Sequence, residues 1–401
     1  MDNLQSKDQT PWVIFLIFLR LGLTSFGGPI AHLGYFREEF VTRRQWLTER
    51  SYADLVALCQ FLPGPASSQV GIAIGLSRSS YAGALAAWAG FTLPSALALI
   101  VFALGLASYG DAMFAGVLQG LKVVAVAVVA QAVWGMARIF CPDAARITLM
   151  AAATCFVLLV PSAWGQLAVI VIAAIFGLVL FKPAQDTMHD PLPINISRRV
   201  GLFCLALFFV VLIGLPVLSA IFTSQRLSML DAFYRAGSLV FGGGHVVLPL
   251  LQAEVVPVGW VANDTFLAGY AAAQAVPGPL FTFAAFLGAS IDATPFAWLS
   301  GLICLLAIFA PSVLLVMGVL PFWERLRRHQ RSQAALLGIN AGVVGILLAA
   351  LYDPVWTSAI HAPQDFALAL VALLALMFWK LPAWLVVLAS GGAGWLLSSV
   401  F

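Results

Sequence analysis

Four long apolar stretches of this chain are each interrupted near the middle by residues that helices avoid: Phe26-Gly27-Gly28-Pro29, Pro63-Gly64-Pro65, Phe241-Gly242-Gly243-Gly244 and Pro277-Gly278-Pro279. A helix interior loses about 1 kcal/mol to glycine and about 3 kcal/mol to proline relative to alanine, so each stretch has to leave helical geometry at these points. They belong to a set of thirteen apolar stretches, at about 11–34, 51–76, 80–107, 112–140, 146–161, 164–181, 200–222, 228–250, 264–290, 295–321, 333–352, 365–379 and 382–401. With 62% of its 401 residues hydrophobic and 9% charged, against about 25% charged in a soluble domain, the chain has too little polar surface to face water. It reads as an all-α polytopic membrane protein, with no room for an enzyme or nucleic-acid module outside the bilayer. Inside a bilayer, non-helical backbone is tolerated only where protein or a water-filled cavity satisfies its polar groups. The four breaks therefore mark a cavity.

The breaks come in an ordered pair of pairs. At an offset of 215 residues Arg20 aligns with Arg235, Gly22 with Gly237, Phe26-Gly27-Gly28 with Phe241-Gly242-Gly243, and Glu39 with Glu254. After a one-residue slip, Trp46 aligns with Trp260, Gln60 with Gln274 and Pro63-Gly64-Pro65 with Pro277-Gly278-Pro279; farther on, Pro94-Ser95 matches Pro311-Ser312 and Lys122 falls opposite Asn340. The expected organisation is a tandem duplication: a repeat over 1–181, a linker with one connecting helix over 182–227, and a second repeat over 228–401. The polar stretch Lys182 to Arg199, with Pro183, Pro191 and Pro193, is the linker.

One inserted span would invert the second repeat, and the charges test this. If all thirteen stretches cross, Arg37, Arg43, Arg44 and Arg50 lie on the face opposite Arg325, Arg327, Arg328 and Arg331, against the positive-inside tendency. If the four broken stretches are re-entrant, those two groups fall on one side together with Lys7, Arg78, Arg138, Arg146, the linker and Lys380, leaving Arg226 outside. Nine full spans with four re-entrant elements, an inverted repeat and a cytoplasmic N-terminus are therefore expected. The N-terminus has no basic n-region or cleavage site, so the first apolar stretch is expected to be retained.

New half-helices should begin near Pro29-Ile30, Ala66-Ser67-Ser68, Gly244-His245 and Leu280-Phe281-Thr282. Such N-termini carry free N–H groups and partial positive charge, and in inverted-repeat transporters they point at anionic substrates. Gly27, Gly28, Gly242 and Gly243 let backbone approach the anion; Ser67, Ser68 and Thr282 stand where a hydroxyl caps a helix or donates to an oxyanion. Arg20 and Arg235 each precede a Phe-Gly-Gly by six residues in apolar surroundings. Either they give bidentate hydrogen bonds to a tetrahedral oxyanion, or they snorkel or pair with Glu39 or Glu254. Lys122, in mid-stretch, is a second substrate cation or a proton-coupling group; Glu39 and Glu254 are coupling candidates or structural partners of arginine. His245 lines the site or fills a polar gap on the second copy alone, where the first has Ile30. Gln60 and Gln274 satisfy broken backbone or line the site.

Metal-ligand spacing is missing among His32, His189, His245, His329 and His361, and neither a P-loop nor a G-x-S-x-G is present. Cys59, Cys141, Cys155, Cys204 and Cys304 are scattered through apolar stretches without zinc or disulfide spacing. No cofactor and no nucleic-acid partner is expected. The expected partners are an oxyanion, protons and the bilayer; Gly342-Val-Val-Gly345 serves packing within one chain or a homodimer alike.

The segment Phe-x-Arg-x-Gly-x-x-x-Phe-Gly-Gly followed by Pro-Gly-Pro, occurring twice in about 400 residues, resembles the long-chain chromate transporters of the chromate ion transporter family. The resemblance covers nearly the whole chain. It implies two inverted halves forming a bacterial inner-membrane permease that exports chromate and confers resistance, with sulfate as the close structural analogue. The characteristic positions it implies are Arg20, Gly22, Phe26, Gly27, Gly28, Pro63, Gly64 and Pro65, then Arg235, Gly237, Phe241, Gly242, Gly243, Pro277, Gly278 and Pro279. The expectation is a secondary transporter working by alternating access, driven by the membrane potential or a proton gradient because no ATPase motif is present. A sulfate or other oxyanion transporter is the alternative. A non-transporting scaffold or sensor is the rival class, and the intramembrane arginines and doubled breaks argue against it.

Overall fold

The computed structural model describes residues 10–109, 111–181, 196–291, 296–326 and 329–400. Lys7, the linker over 182–195 with His189, Arg327 and Arg328 lie outside the described residues. Among the described residues the chain is helical throughout, without a strand.

Each interruption read from the sequence is a real break. Helix α1 (Pro11–Thr24) stops before Phe26-Gly27, and α2 (Gly28–Arg37) starts inside the motif. A six-residue π-helical turn, Glu38–Arg43, leads to α3 (Glu49–Phe61), which ends before Pro63-Gly64-Pro65, and α4 (Ala66–Tyr109) begins directly after it. Two long helices follow: α5 (Asp111–Phe140) and, after the shorter pair α6 (Ala144–Leu159) and α7 (Ala163–Leu180), the connecting helix α8 (Arg198–Ile221). The pattern then recurs. Helix α9 (Gln225–Leu239) ends before Phe241-Gly242-Gly243, a 3-10 turn Gly244–Val246 opens α10 (Val247–Val255), α11 (Asn263–Ala275) ends before Pro277-Gly278-Pro279, and a 3-10 turn Leu280–Thr282 opens α12 (Phe283–Ile291). The chain closes with α13 (Ala297–Val319), the short α14 (Trp323–Leu326), α15 (Gln330–Ala350), the single turn α16 (Thr357–Ala359), α17 (Pro363–Met377) and α18 (Ala383–Val400).

Five helical stretches are long and apolar enough to cross a membrane: Ala66–Ser108, Gly116–Phe140, Arg198–Ile221, Ala297–Phe322 and Gln330–Ala359. The first of them is not straight. Ser79 and Ser80 leave helical geometry, with Ser80 at φ +53°, and a Cβ on Gly75 would meet the Gly83 carbonyl oxygen at 2.3 Å. Eight residues in a straight helix span about 12 Å, so α4 folds back on itself. Gly288 of α12 makes a similarly close contact with Ser300 and Cys304 of α13.

Lipid tails are as apolar as leucine, so helices in a bilayer are held together by close packing rather than by escape from water. Glycines supply that packing crosswise between the halves. In the first half Gly116 and Gly120 of α5 lie on Ser398, Ser390 and Gly391 of α18; in the second, Gly338 of α15 lies on Ala173 and Gly177 of α7, and Gly345 on Met150 and Ala153 of α6. An aromatic knot of Phe18, Phe36, Phe40 and Phe91, with ring centroids 5.0–5.9 Å apart, holds α1, α2 and α4. The outer face is apolar, as along α8, where Leu202, Phe203, Val210 and Ile213 are exposed. A water-facing surface does not look like this.

Candidate functional site

The breaks of the two halves are clasped to each other by reciprocal backbone hydrogen bonds. Gly64 of the first Pro-Gly-Pro donates its N–H to the carbonyl of Val240, just before the second Phe-Gly-Gly, at 2.7 Å; Gly278 of the second Pro-Gly-Pro donates to the carbonyl of Ser25, just before the first, at 3.0 Å. Both glycines need left-handed backbone, at φ +122° and +100°, which side chains with a Cβ disfavour. A Cβ on Gly64 would also stand 2.3 Å from Ser312 Oγ, and one on Gly278 would stand 2.8 Å from Ser95 Oγ. The motif is glycine because its neighbour in the other half leaves no space.

Beside the Gly278–Ser25 clasp lies a cavity of about 290 Å³, about ten waters' worth at roughly 30 Å³ each. Ser25, Phe26, Gly27, Gly28 and Pro29 line it from the first break, with His32 and Tyr35 from α2; Gln274, Gly278 and Leu280 line it from the last break, and His245 from the third. Val128 and Gln131 of α5 and the turn between α17 and α18, including Lys380, complete the wall. Left-handed Gly27 and Gly28, at φ +99° and +76°, start α2 at the cavity surface, and the first turn of a helix leaves N–H groups without intrahelical partners. Across the cavity a Cβ on Gly28 would stand 4.0 Å from His245 Nε2.

The polar side chains here are anchored. His245 Nδ1 is 2.9 Å from the buried Tyr270 hydroxyl. His32 Nε2 is 3.2 Å from the Ser25 carbonyl and its Nδ1 3.4 Å from Ser67 Oγ. Ser25 Oγ is buried with no hydrogen-bond partner among the described residues, which is costly unless a ligand or water supplies one; the Gln274 amide stands beside the Tyr270 hydroxyl. The arrangement offers hydrogen-bond donors, a helix N-terminus and one lysine to a small anion. Among the described residues no cluster of His, Cys, Asp and Glu is built to hold a metal ion. A larger groove of about 790 Å³ between α4, α8, α9 and α13 is lined by apolar side chains such as Leu85, Leu207, Val211 and Phe309, and offers an anion nothing.

The cavity gathers Gly27, Gly28, His245 and Gln274 of the residues expected at the site. Others are used differently. Thr282 is buried and donates to the Pro279 carbonyl at 2.8 Å, capping its turn. Ser67 meets His32, Ser68 is buried behind the wall, and Gln60 is exposed at the end of α3. Gly242 and Gly243 face Met136, with Asn340 Oδ1 3.4 Å from a Cβ on Gly242. At the second break, Gln69 Nε2 donates to the Pro63 carbonyl at 2.7 Å and so does the backbone-satisfying work expected of Gln60.

The cations depart furthest from expectation, because none of the three intramembrane ones lines the cavity. Arg20 is exposed on α1 with no ion pair among the described residues. Arg235 is held by Asp231 at 2.8 Å and Glu254 at 3.0 Å. Lys122 is buried and pairs with Asp264 at 3.1 Å. Glu39 is engaged by Arg44 at 2.7 Å and Arg43 at 3.3 Å; burial pushes its carboxyl up, and the two arginines outweigh this and hold it below the usual glutamate value. Arginine, lysine and glutamate thus satisfy each other, since an unpaired charge in an apolar bundle is expensive.

Sequence reasoning did not single out Ser25, His32, Gln131 or Lys380 as lining residues. For Lys380 a signal existed: the apolar stretch 365–379 before it has 15 residues, short of the roughly 20 needed to span. The turn joining α17 to α18 is part of the cavity wall.

A family model described as chromate transporter matches residues 12–178 and again 227–395. The chain is 28% identical to a chromate transport protein of Pseudomonas aeruginosa over 96% of its own length and 91% of that protein's. It is 27% identical to a probable chromate transport protein of Synechococcus elongatus, over 91% of this chain and 88% of the other, and 26% identical to a chromate transport protein of Cupriavidus metallidurans, over 92% and 88%. No solved structure matches.

Proposed function

The chain belongs to the chromate transporter family, and from this premise we propose that it carries chromate outward across a bacterial cytoplasmic membrane, binding the anion in the cavity between its broken helices. The observation that carries the reading is the meeting of breaks from both halves around one polar cavity inside an otherwise apolar bundle. Backbone leaves helical geometry at such depth to make a site.

The bound anion accepts hydrogen bonds from the N-terminus of α2, from the Gln274 amide and from the Ser25 hydroxyl, while Tyr270 holds the His245 ring toward it. The two matched halves act as an inverted repeat, and alternating access follows from shifting one against the other about the Gly64 and Gly278 clasps. An inside-negative potential favours exit of a dianion by about 2.3 kcal/mol per charge per 100 mV, enough to drive export without a coupled ion; exchange against protons is the second route.

Initial rates of labelled chromate uptake into inverted vesicles test this. Uptake above that of vesicles lacking the protein is expected, and its absence with folded protein present overturns the reading. A proton ionophore used with electrical compensation separates the two energy sources. Sulfate is the second substrate considered, because the cavity offers hydrogen-bond donors that any tetrahedral dianion satisfies; competition by sulfate in the same vesicles decides between them.

A further inference from the structure

Resting on the reading of the cavity as the anion site, we propose that Lys380, outside the doubled motif, is the counter-charge that holds the dianion there. Neutral donors and a helix N-terminus offset only part of the cost of taking a doubly charged anion out of water, and a cation lining the same cavity offsets more of it; Lys380 is exposed at the wall of that cavity. Arg235 and Lys122 are committed to carboxylates and Arg20 lies on the outer face. Among the described residues Lys380 is the only lysine or arginine lining the cavity, no carboxylate lines it, and no ion pair claims the ammonium.

The turn that carries Lys380 is built to keep it there. Its backbone is left-handed at φ +53°, a conformation that residues other than glycine adopt rarely and that marks positions fixed by their surroundings. On either side the turn is tied down, by Trp379 N–H to the Leu374 carbonyl at 3.1 Å and Leu381 N–H to the Ala375 carbonyl at 3.0 Å. Trp384, just beyond it, packs on Phe26 of the first Phe-Gly-Gly with ring centroids 6.1 Å apart. The other wall carries the independent sign of a ligand: Ser25 is one of its lining residues, and its buried Oγ has no partner among the described residues. A lysine suits the task, since its long flexible stem lets the ammonium follow the anion while the backbone stays fixed.

The test uses purified full-length protein and two readouts with chromate as the probe. First, chromate affinity is measured by calorimetry for wild type, Lys380→Ala, Lys380→Gln and Lys380→Arg, each checked for a monodisperse gel-filtration profile. Loss of a charge-assisted contact should weaken binding by about tenfold or more in the alanine and glutamine variants, with arginine within about threefold of wild type. Second, wild-type protein is acylated with an amine reagent, and modification of Lys380 is followed by peptide mass spectrometry; chromate should protect it, a result that a purely structural lysine would not give. Wild-type affinity in Lys380→Ala, or equal acylation with and without chromate, overturns the inference and leaves the transport reading standing. Failure of folded wild type to bind or transport either chromate or sulfate overturns both.

Discussion

The N–H of Gly64 lies 2.7 Å from the carbonyl oxygen of Val240, and this single hydrogen bond ties the Pro-Gly-Pro of one half to the residue before the Phe-Gly-Gly of the other. Its counterpart, Gly278 to Ser25, is made 214 residues later in the donor and 215 residues earlier in the acceptor. Each half thus supplies a hydrogen-bond partner for the broken backbone of the other.

Gly64→Ala should therefore lose transport and folded yield together. Left-handed backbone costs a non-glycine residue about 1–3 kcal/mol, and the new Cβ would stand 2.3 Å from Ser312 Oγ. The double variant Gly64→Ala with Ser312→Ala should recover part of the loss, because the closest clash is removed while the contact with Gln69 Nε2 at 2.8 Å and the backbone strain remain. Gel-filtration yield and vesicle uptake read both effects; no recovery in the double variant would show that Ser312 is not the obstacle.

Arg20→Ala and Arg235→Ala should differ sharply although the repeat pairs them. Arg20 has no ion pair among the described residues, and its removal should leave chromate affinity within about twofold of wild type. Removing Arg235 strands Asp231 and Glu254 beside each other, which should cost about 2–4 kcal/mol and appear as a large drop in the thermal midpoint in detergent. Equal effects of the two substitutions would contradict the geometry.

The Lys122–Asp264 pair joins α5 to the start of α11. Asp264→Asn leaves the buried ammonium unpaired and should lower the unfolding midpoint more than the double variant Lys122→Met with Asp264→Asn does. A double-mutant cycle should return a coupling of about 1 kcal/mol; additive effects would mean that the pair contributes nothing.

Stability should fall in acid partly through Glu39. Its carboxyl is held below the usual value in the folded protein, so its contribution is complete above the unfolded glutamate pKa, near 4.3, and is lost as pH falls through the lower native value. Glu39→Gln should be less stable at pH 7 by about 1–2 kcal/mol and show a flatter decline below the unfolded glutamate pKa. Parallel pH profiles for the two proteins would exclude this role.

His245→Ala should slow chromate uptake more than Tyr270→Phe. The first removes a ring from the cavity wall; the second removes only the hydroxyl that orients it, at 2.9 Å, a loss of about 1 kcal/mol. Uptake rates in vesicles with matched protein amounts measure the order, and a larger effect of Tyr270→Phe would reverse the assignment.

By itself the sequence determined the membrane setting, the helical class and the position of every break, because glycine, proline and an apolar background act locally. It placed the half-helix starts at Gly28, Ala66, Gly244 and Leu280 within two residues. Only the tertiary structure decided which polar groups share the cavity. Arg20 and Arg235 are equivalent in sequence, yet one faces outward and the other is consumed by Asp231 and Glu254, since pairing depends on what neighbouring helices bring. Lys380 looked like one more surface charge; it is exposed and also lines the cavity, because the two helices around its turn end beside the first break. Local propensity places a break; the balance between desolvation and partners on other helices assigns the charges.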